Sequence, residues 1–162
     1  MKRPHVMANT YTQIYVHVIF AVEGRHNLIK KEYKENVHRY ITGIIQSKKQ
    51  KVIAINSMPD HVHILIGIKP DIALSDLVRD IKASSSKHIN ESKWIAGRFN
   101  WQEGFGAFSY SHSQLDVVAQ YIRDQEKHHT RRRFQEEYME LLRKFNVDHN
   151  PKYVFDWVDG VE

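Results

Sequence analysis

The sequence predicts an α+β fold: an antiparallel sheet with helices on one face, and additional helices at its C-terminal end. Three observations lead to it. Some segments carry apolar residues at every second position, and others carry them at helical spacing. The two kinds succeed one another as strand, helix, strand, strand, helix, strand before two more helices.

The first strand lies within Tyr11 to Val22, where Ile14, Val16, Val18, Phe20 and Val22 alternate with Gln13, Tyr15 and His17. That period gives one buried and one polar face. Gly24 and Asn27 close the strand. Ile29, Tyr33, Val37, Ile41, Ile44 and Ile45 then recur as the inner side of a helix, with lysine and glutamate between them. Val52 to Ile55 reads as a short strand and Met58-Pro59-Asp60 as a turn, where proline's missing N–H is harmless. From His61 to Ile68 the alternation is clean: Val62, Ile64, Ile66 and Ile68 point one way, His61, His63, Leu65 and Gly67 the other. Asp71 is the expected cap of a helix whose inner face is Leu74, Leu77, Val78, Ile81 and Ile89. Trp94 to Gly104 reads as a loop and Phe105 to Ser111 as a fourth strand, weakened by Gly106. Helices over about Leu115 to Lys127 and about Arg131 to Phe145 follow, the second capped by Thr130.

This order is the ferredoxin-like (RRM-like) split βαβ pattern. Helices burying the apolar side of the sheet would leave His61 and His63 on the opposite, open face. No repeat, low-complexity tract or long linker divides the 162 residues. A single domain over 1–162 is therefore expected, with a core of about 10–145 and tails at 1–9 and 146–162. The absence of cysteine excludes disulfides and thiolate metal sites, and fits a cytoplasmic protein. No apolar run approaches a membrane span, and Met1 to Thr10 lacks the apolar segment of a secretory signal. The +5 formal charge suits a polyanionic partner without specifying one.

Two constellations carry chemistry. Histidines at i and i+2 of a strand project together and can grip one metal ion, leaving positions open for substrate. The same pair also suits surface residues or satisfied core polar groups. Tyr121 and Gln125, four apart on a helix, lie on one side. Val118 and Ile122 share that region, so the pair taken alone reads first as a core aromatic beside a solvated amide. A functional reading makes Tyr121 a nucleophile for phosphoryl transfer and Gln125 a neutral oxygen ligand.

Met58-Pro59-Asp60-His61-Val62-His63-Ile64-Leu65, then Trp101-Gln102-Glu103-Gly104-Phe105-Gly106-Ala107-Phe108-Ser109, then Tyr121-Ile122-Arg123-Asp124-Gln125 carry a resemblance. Together they resemble the single-tyrosine HUH transposases of the insertion-sequence 200/605 type, or a domesticated repeat-associated relative. The resemblance implies His61 and His63 as metal ligands, Gln125 as the third ligand, Tyr121 as nucleophile, and Mg²⁺ or Mn²⁺ as the ion. It further implies a homodimer with shared active sites, in which the tyrosine helix of one subunit completes the site of the other. The implied partner is a single-stranded DNA hairpin end of a mobile element or repeat, in a bacterial or archaeal cell. Asp60 stands where such proteins often have asparagine, and Met7 is an alternative start.

For DNA contacts, Arg79, Lys82 and Ser86 share the outer side of the second helix, Lys87, Lys93 and Arg98 extend the charge, and Arg131, Arg132 and Arg133 form a second cluster. Trp94, Trp101, Tyr15 and Tyr110 are candidates for base stacking or for the core, and Tyr138 for the core. His17 is a candidate to approach the site, while His128 and His129 read as surface residues, with a helix cap or a phosphate contact as the alternatives. Two competing readings remain: a non-catalytic module that binds single-stranded nucleic acid, and a metal-dependent phosphoesterase in which the histidine pair activates water.

Overall fold

The structure, a computed structural model, describes residues 9–129, 133–150 and 154. Four strands form one sheet: β1 (Tyr15–Ala21), β2 (Lys51–Met58), β3 (His61–Gly67) and β4 (Gly106–Tyr110). Their spatial order is β2-β3-β1-β4, with every pairing antiparallel. Helices α1 (Lys31–Ser47) and α2 (Leu74–Ser92) make the crossovers. α3 (Leu115–Arg123), α4 (Gln125–His129) and α5 (Phe134–Lys144) follow the last strand. This is the ferredoxin-like arrangement with its C-terminal addition. Among the described residues no helix is long and apolar enough to cross a membrane.

The alternation of β1 and β3 divides the core. Val18, Phe20, Val22, Val62, Ile64 and Ile66 face α1 and α2, packing with Tyr33, Val37, Ile41, Ile45, Leu77, Val78, Ile81 and Ile89. Fully burying one such side chain stabilises by roughly 1.5–3 kcal/mol, which is why these two amphipathic helices hold to the sheet. Both proposed stacking tryptophans serve this side. Trp101 is buried against Phe20 and Phe99 and donates from Nε1 to Ser85 Oγ at 2.9 Å, while Trp94 stacks on Tyr33 with ring centroids 4.6 Å apart.

The other face is not open. Ile19, Ala21 and Phe108 pack with Phe134, Tyr138, Leu141 and Leu142 of α5. Leu65 and Ala54 pack with Val118, Ala119 and Ile122 of α3. His61 and His63 are consequently fully buried, so the expectation of an exposed pair is corrected. The appended helices are amphipathic, and the second sheet face is the apolar surface available to them. Gly106 serves this packing, since a Cβ there would stand 2.5 Å from Tyr138 Oη.

Other boundaries shift for local reasons. Asp71 does not cap α2: Ala73 occupies the cap position in extended conformation, without a side-chain bond. Thr130 lies outside the described residues, and α5 begins after an extended Arg133. The single helix expected over Leu115 to Lys127 is broken at Asp124. Asn56 of β2 donates from Nδ2 to the carbonyls of Ile122 and Arg123 at 3.0 and 3.1 Å, satisfying carbonyls that the helix end leaves unpaired.

Candidate active site

Strand β3 places His61 and His63 side by side, and their environments fix how each ring is turned. His61 Nδ1 lies 2.7 Å from Asp60 Oδ1. His63 Nδ1 lies 2.8 Å from His17 Nε2, which β1 delivers diagonally across the β1–β3 register. Both rings therefore turn Nε2 inward, away from their Nδ1 partners. A second partner that fixes the ring in this way is the usual support of a metal-binding imidazole. His17 thus belongs to the site, and the period of two in β1 is the signal that put it on that face.

Glu137 of α5 approaches from above the sheet and is fully buried. Its Oε1 lies 3.1 Å from His63 Nε2, 3.4 Å from His129 Nε2 and 3.9 Å from His61 Nε2. The two β3 contacts are close without hydrogen-bond alignment: His61 Nε2, His63 Nε2 and Glu137 Oε1 are buried and make no hydrogen bond. Such orphaned buried atoms are rare in folded proteins and point to a missing partner. One ligand atom from each of His61, His63, His129 and Glu137 falls within 4.8 Å of the others. These donors fit a divalent cation.

Protonation agrees with that fit. Burial lowers His61 to about 4, despite the hydrogen bond to Asp60 that raises it. His17 is held well below its ordinary value by burial and then by His63. Both rings are therefore neutral near pH 7, the state in which imidazole binds metal. Burial pushes the Glu137 carboxyl up, but the His129 and His63 imidazoles and the Tyr121 hydroxyl outweigh it and hold it below the usual range. Glu137 is accordingly an anion facing the histidines.

Tyr121, on α3, donates its hydroxyl hydrogen bond to Glu137 Oε2. Its ring stacks on His128, with centroids 4.5 Å apart, and stands edge-on to His63 at 6.3 Å. The tyrosine and the histidine pair thus meet within one chain. A cavity of about 400 Å³, lined by Tyr110, Gln114, Val117, Leu141 and Lys144 among others, reaches Tyr121 and Glu137 from outside. Gln125 is fully buried one segment later. Its Oε1 accepts from His129 Nε2 at 3.0 Å, and its Nε2 donates to the Tyr121 carbonyl at 3.3 Å.

The histidines after α3 were expected at the surface, yet His128 braces Tyr121 and His129 joins the donor group. Glu137 went unnoticed in the sequence. Its signal was an acid on the inward stripe of α5, within Phe134, Tyr138, Leu141 and Leu142.

The residues read as DNA contacts lie elsewhere. Arg79, Lys82 and Ser86 line a groove of about 440 Å³ between α2 and residues 100–105. Arg79 is paired with Asp76 and Asp80 at 3.1 and 3.5 Å. Lys82 donates from Nζ to the carbonyls of Gln102, at 2.9 Å, and Gly104, and burial lowers it to about 8. Ser86 Oγ donates to the Ala83 carbonyl at 3.2 Å. Arg131 and Arg132 lie outside the described residues.

The chain is similar to known proteins. The ISDra2 transposase TnpA of Deinococcus radiodurans is 26% identical over 120 residues, covering 70% of this chain and 84% of that protein. A crystal structure of a candidate transposase from Deinococcus radiodurans R1 superposes with a TM-score of 0.59 at 23% identity, covering 77% of this chain and 98% of the other. A tyrosine transposase associated with REP sequences, solved bound to a REP hairpin, superposes with a TM-score of 0.57 at 13% identity, covering 100% and 96%. The two structures share the fold. The family described as "Transposase IS200 like" matches residues 10–125, all four strands, the histidine pair and Tyr121 included, and the chain belongs to that family.

Proposed function

We propose that this protein cleaves and rejoins single-stranded DNA at hairpin-bearing ends, through a 5′-phosphotyrosine on Tyr121. The observation that carries the reading is the meeting of Tyr121 with a buried, inward-facing histidine pair whose Nε2 atoms lack hydrogen bonds. In the proposed step, Tyr121 Oη forms a bond to the scissile phosphorus and the bond to the 3′ oxygen breaks. The phenol's proton is given up and the leaving 3′ oxygen takes one, becoming a 3′-hydroxyl. Because the ester retains the bond, another 3′-hydroxyl can reverse the step without a nucleotide cofactor. An unassisted phenol has a pKa of about 10 and is a weak nucleophile near neutrality. A divalent ion on His61 and His63, Mg²⁺ or Mn²⁺, would polarise the phosphate and offset developing charge. The resemblance offers Gln125 as the third ligand, a role for which its hydrogen bond with His129 would have to yield.

The hairpin substrate is supported by the relative solved with one. Arg79, Lys82, Ser86, Arg131 and Arg132 are the proposed phosphate contacts. A homodimer with shared sites is a second reading, implied by the resemblance and by the place of Tyr121 on a helix that follows the last strand.

Tyr121→Phe removes one oxygen, so folding and DNA binding should persist. Incubation with a labelled hairpin oligonucleotide and Mn²⁺ should give a denaturation-resistant adduct with the unaltered protein alone. An adduct of normal yield from the variant would refute the nucleophile. Mixing Tyr121→Phe with a His61→Ala, His63→Ala double variant decides the arrangement. Exchanged tyrosine helices would restore cleavage on the histidine variant's Tyr121, and self-contained sites would not.

A further inference from the structure

Residues beyond 125 fall outside the family match, yet one of them occupies the centre of the site. Glu137 is brought there by α5, whose Phe134, Tyr138, Leu141 and Leu142 pack on the site face of the sheet. One carboxylate oxygen faces the histidines and the other accepts the Tyr121 hydroxyl. We propose that Glu137 is the anionic oxygen ligand of the divalent ion in this protein and, through its second oxygen, the group that orients Tyr121. The proposal rests on the metal-dependent tyrosine reading above and extends it to a helix the family match does not reach.

Three arguments support it. Ion-to-ligand distances of about 2.0–2.2 Å place neighbouring donors about 3 to 3.5 Å apart. Glu137 Oε1 lies 3.1 Å from His63 Nε2, the spacing of donors around one ion. Second, charge requires it. A ligating imidazole is neutral, and a dication among imidazoles and an amide in a buried site lacks compensation, which a carboxylate supplies and the Gln125 amide does not. Third, the alternative oxygen is already committed: Gln125 Oε1 accepts from His129, whereas Glu137 Oε1 makes no hydrogen bond. Gln125 is then a positioning residue that holds His129. The same carboxylate bridge would keep the Tyr121 oxygen beside the ion before DNA arrives, which is the proximity an in-line attack needs.

The test uses the full chain in two variants. Glu137→Gln keeps an oxygen that can accept from Tyr121 but removes the charge, while Glu137→Leu removes both. Thermal unfolding in EDTA establishes that each folds. Mn²⁺ affinity is then read by electron paramagnetic resonance, and adduct formation is timed at saturating Mn²⁺ with a labelled hairpin. The dissociation constant for Mn²⁺ should rise at least about tenfold in both variants, on the scale seen when a metal site loses a supporting group. At saturating Mn²⁺, Glu137→Gln should retain more of the adduct rate than Glu137→Leu. Gln125→Leu should weaken Mn²⁺ less than either. If the unaltered protein binds Mn²⁺ and forms adduct but both Glu137 variants match its affinity within twofold, the proposal is overturned and the parent reading stands. If the unaltered protein itself forms no metal-dependent adduct, the parent reading fails and takes the proposal with it. Should one variant not fold, the other's Mn²⁺ affinity decides alone.

Discussion

Strand β3 presents two equally buried faces with opposite chemistry. Val62, Ile64 and Ile66 lie against α1 and α2, where apolar burial is the whole account of their stability. His61, His63 and Leu65 lie against α3, α4 and α5, where His17, Gln125 and Glu137 are buried with them. Solvent exclusion is the same and satisfaction is not: Val62, Ile64 and Ile66 carry no polar side-chain atom to satisfy, while among the described residues the other face holds five without hydrogen bonds, on His17, His61, His63, His128 and Glu137. Evolution seldom leaves such groups in a core for packing reasons, because each costs about 1–3 kcal/mol of unrecovered desolvation. Local defects of this kind mark where function overrides stability.

Neighbouring residues of one strand can break this contrast most forcefully. Ile64→Ala should destabilise the metal-free protein by about 2–5 kcal/mol, the usual cost of a cavity in a close-packed core. Because Ile64 points away from the site, DNA cleavage by the folded fraction should persist. His63→Ala should do the reverse. It should cut adduct formation at least about a hundredfold, since the metal's contribution is several kcal/mol. Its cost in denaturant midpoint should be smaller than that of Ile64→Ala. Equal stability losses, or cleavage that survives both His63→Ala and EDTA, would show the two faces to be one undifferentiated core.

How much of this was legible in the sequence differs by face in the same way. A period of two in β1 and β3 and a helical period in α1 and α2 reinforce each other, so the topology and the apolar core could be read directly. The histidine pair was legible for its side of the strand but not for its burial. Alternation says which way a side chain points and nothing about what later covers it. Glu137 and His129 were illegible for a related reason: acids and histidines on a surface helix are ordinary. Only the packing of α5 against Ile19 and Phe108 turns one glutamate inward. The break at Asp124 was missed because its cause is distant, an Asn56 side chain from β2 capping carbonyls of α3.

Acid sharpens the comparison from the apolar side. His38 on α1 is buried there with Nε2 2.7 Å from Ser57 Oγ, and burial, with Lys34 nearby, lowers it to about 4. Its ring in the unfolded chain titrates near 6.5. Between those values the unfolded chain binds more protons, so stability falls as pH drops from about 6.5 to 4 and is fully present above 6.5. His38 contributes up to roughly 3 kcal/mol to that fall. His61 titrates low as well, so the site face loses stability in the same window. Unfolding midpoints measured from pH 7.5 to 4.5 should decline, and less steeply for His38→Gln. An unchanged slope in the variant would remove His38 from the account.

The smallest expected effect lies on the outer side of α2, away from both faces of β3. Arg79 is exposed and shares its charge with Asp76 and Asp80, and exposed pairs of this kind contribute little to stability. Arg79→Gln should therefore leave the unfolding midpoint nearly unchanged. If Arg79 meets a phosphate of the bound strand, its loss removes one released counterion. The slope of log affinity against log salt should then become shallower by about 0.7 for a single-stranded contact. Lys82 is a poorer choice for this test. Its ammonium ties α2 to the carbonyls of Gln102 and Gly104, so replacing it would disturb the loop as well as the charge. Affinity for a labelled hairpin oligonucleotide, measured at several salt concentrations, gives the slope directly. A slope identical to that of the unaltered protein would place Arg79 off the DNA path and leave the chemistry of the buried face untouched.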